Sequence, residues 1–154
     1  MTGHQNIPDE ALTHIRAELG KALCGLGEPI EALTSLAAGA DQLFAQIALS
    51  CGASLKVVTP SEDYADTFSA EEDRARYLEL RKLASAYVNI GHKRASEQAY
   101  YDAGVYITDH SDLMLAVWDG QPAKGFGGTA DIVNYAHSKK VTVIVIWKDG
   151  IVRG

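Results

Sequence analysis

Cysteine is scarce in this chain. Cys24 and Cys51 are the only two cysteines among 154 residues, and their spacing matches no CxxC or other zinc-binding pattern. Isolated thiols of this kind are typical of free, structural cysteines in a reducing compartment. We therefore expect both thiols to be free. The five histidines are not spaced as paired ligands either, so we predict no metal site.

Long apolar runs are also missing. No run approaches the ~20 residues that a membrane-spanning helix requires, and the first residues lack a basic region followed by an apolar core. From these absences we expect no signal peptide, no association with a membrane and a cytoplasmic location.

Basic residues are outnumbered by acidic ones. The chain has 14 lysines and arginines against 20 aspartates and glutamates, which gives a formal net charge of −6. General nucleic-acid binding requires a concentrated basic surface, so this balance argues against it. A small anionic ligand stays compatible with the charge, because a local group of backbone N–H donors can outweigh a modest overall negative charge.

Strand and helix patterns alternate along most of the chain, with no repeat or domain boundary. The alternation predicts an α/β fold in which helices cover both faces of a parallel sheet. Met1-Thr2-Gly3-His4 has the pattern of a strand end, so either the first strand is very short or the native start lies upstream. We predict a single domain over residues 1–154. The predicted helices are Asp9–Leu23, Ala40–Ser50, one capped by Ser69 and running to Val88, one from Ala95, and Thr129–Ser138; the predicted strands are Ile30–Leu36, Leu55–Thr59, Leu113–Trp118 and Val141–Trp147.

A glycine-rich run connects one of these strands to the helix that follows it. Its sequence is Gly125-Phe126-Gly127-Gly128-Thr129-Ala130-Asp131. Closely spaced glycines at such a turn allow backbone N–H groups to approach a phosphate, and the helix N-terminus adds about half a positive charge. A plain helix cap is the alternative. The sequence therefore predicts that an anionic, nucleotide-like ligand binds to Gly125, Gly127, Gly128 and Thr129.

Two further loops are expected at the same edge of the sheet, outside the carboxyl ends of the strands. His4 could bind a phosphate or transfer a proton, although a frayed terminus would also explain it. Asp41 could accept a hydrogen bond from a ribose hydroxyl or stabilise a helix N-terminus. The predicted ligand-binding residues of these two loops are Thr2, Gly3, His4, Ser35, Gly39 and Asp41.

The order and spacing of the three loops resemble those of the SLOG superfamily, which includes lonely-guy, DprA-like and YpsA-like proteins. Ser35 to Asp41 resembles the small-residue loop of that superfamily, Gly127-Gly128-Thr129 its second phosphate-binding turn, and Asp112 to Gly120 the strand before this turn. The resemblance implies a Rossmann-like nucleotide site in a sensor or binding protein. It implies no separate cofactor.

The lonely-guy members suggest an enzymatic alternative, because they hydrolyse the N-glycosidic bond of nucleoside monophosphates. Their turn carries a glutamate three residues after the threonine. Here that position is Ile132 and the acid is Asp131, which on a helix lies about 100° away. Asp131 and Asp119 are the candidate catalytic residues, as a general base or a stabiliser of positive charge. A helix-dipole role is the simpler interpretation of Asp131, and Asp119 could equally begin the Asp119-Gly120 turn.

A third hypothesis is an oligomeric interaction module that has kept the fold without a ligand. The helix predicted to extend to Val88 could provide a homodimer face, although packing on its own sheet is the simpler use. Its apolar positions are Tyr77, Leu80, Ala84, Tyr87 and Val88. Tyr100 and Tyr101 could stack on a base, but tyrosines at such positions are more often part of the core.

Overall fold

Strands and helices alternate from one end of the chain to the other in a computed structural model, which describes residues 1–27 and 29–154. The α/β class predicted from the sequence is confirmed. The elements in order are β1 (Thr2–Gly3), α1 (Asp9–Cys24), β2 (Glu31–Thr34), α2 (Ala40–Ser50), β3 (Ser54–Ser61), a 3₁₀ helix (Tyr64–Thr67), α3 (Glu71–Lys82), β4 (Ala86–His92), α4 (Glu97–Asp109), β5 (Leu113–Val117), α5 (Thr129–Ser138) and β6 (Thr142–Ile146).

All the paired strands run parallel. They form two three-stranded sheets, in the orders β1-β5-β6 and β2-β3-β4. The Met1 nitrogen donates a hydrogen bond to the Leu33 carbonyl at 3.0 Å, so β1 lies next to β2 where the two sheets meet. The first strand is only two residues long, with Gly3 opposite Val117. This short strand places the loop after Gly3 beside the loop after β5.

Apolar side chains fill both faces of the sheets. On one face, α1 and α2 pack in a cluster that includes Ile15, Leu19 and Phe44. On the other face, α4 and α5 pack in a cluster that includes Ile107 and Ile132. Full burial of each such side chain contributes about 1.5–3 kcal/mol. Because helices cover both faces, a ligand can reach the sheet at the ends of its strands.

The segment after α3 is a strand, so the prediction of one helix from Ser69 to Val88 is wrong. Helix α3 ends at Lys82, and β4 pairs with β3 from Ala86 onward. The helical spacing of apolar residues continues beyond Lys82. The segment nevertheless forms a strand, because the edge of β3 offers backbone hydrogen-bond partners and packing to residues 86–92. Ser69 does not cap α3 either, because the N-cap residue is Ala70.

The proposed homodimer face is lost with this correction. Tyr77 and Leu80 lie on α3 but are buried in the core. Tyr87 and Val88 lie on β4. The five residues therefore do not form one helix face.

Cys24 and Cys51 form a disulfide, so the expectation of free thiols is wrong. Both residues lie at the C-terminal ends of helices, α1 and α2, that pack against each other on the same face of the sheet. Their Cα atoms are 5.1 Å apart, a distance that a disulfide spans. The two cysteines consequently give no argument for a reducing compartment. Among residues 1–27 and 29–154, no helix is both long and apolar enough to cross a membrane.

Candidate functional site

A cavity of about 410 Å³ lies beside the carboxyl ends of β1 and β5. It is bordered by the three loops that the sequence placed at this edge. Nine of the ten predicted ligand-binding residues line it: Thr2, Gly3, His4, Ser35, Asp41, Gly125, Gly127, Gly128 and Thr129. The tenth, Gly39, lines a neighbouring cavity. We call the first space the nucleotide-loop cavity, after these loops.

Gly127 fixes the shape of the turn before α5. Its φ of +83° lies in the left-handed region, which side chains disfavour. A Cβ atom there would also lie 2.7 Å from the Glu97 carbonyl oxygen at the start of α4. The turn can therefore pack against α4 only with glycine at this position.

Backbone N–H groups at the start of α5 are available to a ligand. The Gly127 N–H donates to Asp131 Oδ2 at 2.8 Å. In the described part of the chain, the N–H groups of Gly128, Thr129 and Ala130 have no protein acceptor. Unsatisfied donors are usual in the first turn of a helix, and together with the helix dipole they attract anions. Gly128 and Thr129 line the cavity, so their two N–H groups face the space that a negatively charged group would occupy, and the Ala130 N–H follows them in the first turn.

Two basic side chains line the same cavity. Arg153 is only 12% exposed, and its guanidinium donates to the Pro122 carbonyl at 2.5 Å. Lys124 Nζ donates to the Gly154 carbonyl at 2.6 Å. Both cations border the nucleotide-loop cavity, together with Thr129. The lining therefore contains two cations and the Asp41 carboxylate, and Arg153 also pairs with Asp119 at 3.6 Å.

His4 contacts Asp119 and Arg153 through its two ring nitrogens. Its Nε2 lies 3.0 Å from Asp119 Oδ1, and its Nδ1 lies 3.0 Å from Arg153 Nη1. The Asp119 N–H also lies 3.2 Å from Nε2, so Nε2 faces both a carboxylate acceptor and a backbone donor, while Nδ1 faces the Arg153 donor. Burial, aided by the charge of Arg153, lowers the pKa of His4, while the hydrogen bond to Asp119 opposes this shift. The ring is therefore a neutral part of the cavity wall.

Asp119 contacts both His4 and Arg153. Its side chain is 1% exposed. Burial raises its pKa, but hydrogen bonds from the Gln121 N–H, from His4 and from the Arg153 N–H outweigh burial and lower the pKa below its usual value. Asp119 is not among the residues that line the cavity. Its charge is used to fix His4 and Arg153.

Asp131 and Gly39 also lie outside the nucleotide-loop cavity. The Asp131 carboxylate is bonded to the Gly127 N–H and so braces the turn from within. Gly39 has a φ of +81°, and a Cβ atom there would collide with the Gln5 carbonyl oxygen. Glycine at position 39 is thus required for the close approach of two loops.

Asp41 lines the cavity from the loop after β2, yet it is buried. The Ala37 N–H donates to its Oδ2 at 3.4 Å. Burial raises the pKa of Asp41, while hydrogen bonds from Thr34, Ala37 and Ser35 oppose this shift. Asp41 can therefore face a ligand while it holds its own loop together.

No family model and no curated protein matches this chain. Among solved structures, the chain is similar to DNA processing protein A (DprA) from Streptococcus pneumoniae, with a TM-score of 0.67 and 14% sequence identity over 94% of this chain and 48% of that chain. The two chains share a fold. That fold is Rossmann-like, and the similarity shows the fold alone. This chain spans about half the length of DprA.

The two basic residues of the cavity, Arg153 and Lys124, were missed from the sequence. Arg153 is 149 residues from His4, and no local spacing connects them. Tyr100 does line the cavity, whereas Tyr101 stacks on Phe126 with ring centroids 4.7 Å apart. In the described ranges, no group of three or more His, Cys, Asp or Glu side chains could hold a metal ion.

Proposed function

We propose that residues 1–154 form one domain that binds a nucleotide or a nucleotide-derived metabolite, as a sensor or binding protein. The observation that carries the proposal is the group of three unpartnered N–H donors at Gly128, Thr129 and Ala130. They begin α5 beside a cavity of about 410 Å³, a size within the usual range for small-molecule sites. A phosphate is the anionic group that such a turn accommodates best.

The basic side chains support a phosphate rather than a neutral ligand. Arg153 would act through its positive charge, because its guanidinium nitrogens already contact Pro122, His4 and Asp119, and Lys124 would act as a point charge. Each charge-assisted hydrogen bond contributes about 1.5–3 kcal/mol. The Thr129 hydroxyl, 3.4 Å from His4 Nδ1, is a further donor. Together these groups would place two positive charges beside a bound phosphate, with Asp119 paired to Arg153 and the Asp41 carboxylate also in the lining.

Binding is favoured over N-glycosidic hydrolysis by the state of the two candidate acids. Asp119 is bonded to His4 and to backbone N–H groups, and Asp131 is bonded to the Gly127 N–H. A general base needs a free lone pair within reach of water in the site. Neither carboxylate lines the cavity, so no observation favours the hydrolase.

A small ligand is favoured over a nucleic acid. DprA is named as a DNA processing protein, but this chain has a net charge of −6. Polyanion binding depends on many basic contacts. The cations at this site are few and lie around one cavity, which suits a ligand with one or two phosphates.

Isothermal titration of the full chain with AMP and with adenosine tests the proposal. AMP should bind and adenosine should bind at least about tenfold more weakly, because the phosphate carries the charge-assisted bonds. Thr129→Val should weaken AMP binding about fivefold. Thr142→Val, on the exposed end of β6, is the matched control. Equal affinities for AMP and adenosine, or no binding to any nucleotide of a broad panel, would contradict the proposal. Release of free base from AMP would favour the hydrolase instead.

A further inference from the structure

A second and larger cavity adjoins the nucleotide-loop cavity. Its volume is about 810 Å³, against about 410 Å³ for the first. The residues that border both cavities are Gln5, Asn6, Ala37, Tyr64 and Tyr100. Because one set of residues borders both spaces, a ligand bound in the first cavity has room to extend into the second.

Tyr64 presents an unused hydroxyl at the junction of the two cavities. The residue is 4% exposed, and its hydroxyl has no hydrogen-bond partner within residues 1–27 and 29–154. Every fully enclosed side-chain nitrogen or oxygen in these ranges does have a partner. The Tyr64 hydroxyl is therefore not fully enclosed, and the residue lines both cavities. A buried, unpartnered donor is costly unless a ligand or water satisfies it.

The Tyr64 hydroxyl is a neutral donor. Burial, with the negative charge of Asp41 as the next cause, raises the pKa of Tyr64 well above its usual value. Its ring is fixed by edge contacts with Phe68 and Tyr77, each at a centroid distance of 5.4 Å. A fixed phenol of this kind can donate to a ligand oxygen with little loss of side-chain entropy.

The lining of the larger cavity combines amides, hydroxyls and aromatic surface with the charged side chains of Asp9, Asp73 and Arg76, of which Asp73 and Arg76 pair with each other at 3.1 Å. Amides and hydroxyls suit the oxygens of a sugar and the ring nitrogens of a base, and aromatic rings suit the face of a base. The exposed Arg16 guanidinium has no ion pair in the described part of the chain. Arg16 lines this cavity but not the nucleotide-loop cavity. The groups concerned are Asn6, Arg16, Gln46, Thr67, Phe68 and Ser69.

From this arrangement we infer that the site takes a dinucleotide-type ligand, in which the phosphates of one nucleoside continue into a second nucleoside. This inference rests on the proposed function. The phosphate group binds at the start of α5, the second nucleoside lies in the larger cavity, and the Tyr64 hydroxyl donates to a ligand oxygen where the two spaces meet.

The test compares two ligands of equal charge by isothermal titration of the full chain. One is diadenosine diphosphate, and the other is ADP esterified with methanol on its outer phosphate, which lacks the second nucleoside. Diadenosine diphosphate should bind at least about tenfold more tightly, because only it fills the larger cavity. Equal affinities would overturn the inference and leave the proposed function intact. Binding of neither ligand, nor of AMP, would overturn both.

Tyr64→Phe removes only the hydroxyl, and Tyr77→Phe makes the same change in a ring of the same cluster that lines neither cavity. Diadenosine diphosphate should bind Tyr64→Phe about fivefold more weakly. Tyr77→Phe should stay within about twofold of the unaltered chain. Equal losses in the two variants would indicate a packing effect and would overturn the assigned role of Tyr64.

Arg16→Ala serves as a second variant, because an exposed position on α1 tolerates the change even if Tyr64→Phe does not fold. It should weaken diadenosine diphosphate about threefold without changing the affinity of the methyl ester. Lys21→Ala, on the same helix but outside both cavities, is its control. An unchanged affinity for diadenosine diphosphate in Arg16→Ala would count against the second nucleoside.

Discussion

His4 and Asp119 are separated by 115 positions in the sequence, yet His4 Nε2 and Asp119 Oδ1 lie 3.0 Å apart. His4 follows the two-residue strand β1, and Asp119 follows β5, with which β1 pairs. The parallel pairing brings both strand ends to the same edge. Arg153 then contacts both side chains. His4 and Arg153 line the site, and Asp119 supports both from behind. This cluster accounts for the following two predictions.

Asp119→Asn should destabilise the protein at neutral pH by about 3 kcal/mol, because it removes the charge that the buried partners require. The pKa of Asp119 is lowered in the folded state, so its contribution is complete above the unfolded pKa of about 3.9 and is lost as the pH falls through the folded pKa. Urea unfolding of both proteins from about pH 7 downward measures this difference. The exposed Asp149→Asn is the control. A difference that does not shrink in acid would contradict the account.

His4→Gln should make the stability of the protein less dependent on pH between about 5 and 7. The pKa of His4 is lowered on folding, so the unfolded state takes up the proton first. Stability from this residue is complete above the unfolded pKa of about 6.5 and falls as the pH drops below it. Thermal unfolding at several pH values measures the effect. His14→Gln, at an exposed position on α1, should not flatten the profile; an equal change in both variants would exclude His4 as its source.

Gly127→Ala should destabilise the protein by more than Gly120→Ala. Both glycines have a positive φ, +83° and +80°, so alanine costs about 1–2 kcal/mol at either position. Only at Gly127 would the added Cβ meet the Glu97 carbonyl oxygen, at 2.7 Å, while at Gly120 nothing lies within 4 Å. Chemical unfolding of the two variants compares them directly. Equal losses of unfolding free energy in the two variants would mean that the close contact between the turn and α4 does not add to the destabilisation.

Reduction of the Cys24–Cys51 disulfide should lower the free energy of unfolding by about 3 kcal/mol, because the bridge closes a loop with a sequence separation of 27 residues. Denaturant unfolding with and without a reductant measures the change, and the Cys24→Ser, Cys51→Ser double variant should reproduce it without a reductant. Two titratable thiols in the unreduced protein under native conditions would show that the bridge does not form.

Local patterns were sufficient for much of the fold. Helices Ala40–Ser50 and Thr129–Ser138 have the predicted bounds, because their apolar spacing and their flanking glycines lie within one short segment. Strand β4 could not be found in this way. Tyr87 and Val88 continue the helical spacing of α3, and only the open edge of β3 makes a strand the better structure.

In the site, too, features formed by consecutive residues could be predicted and contacts between distant residues could not. The glycine turn before α5 is visible in the sequence because its residues are consecutive. Arg153 reaches His4 only through the path of the last strand and the residues after it, so no motif connects them. The disulfide was missed for the same reason, since the packing of α1 against α2 brings Cys24 to Cys51.

The most direct test of the account is to follow the backbone amide resonances of the isotopically labelled chain by NMR during a titration with AMP. The resonances of Gly128, Thr129 and Ala130 should shift most, in proportion to the bound fraction, because their N–H groups have no protein acceptor and would donate to the phosphate. Adenosine should leave these three resonances in place. Binding of AMP that leaves these amides unchanged and shifts resonances elsewhere would contradict the claim that the start of α5 is a phosphate site.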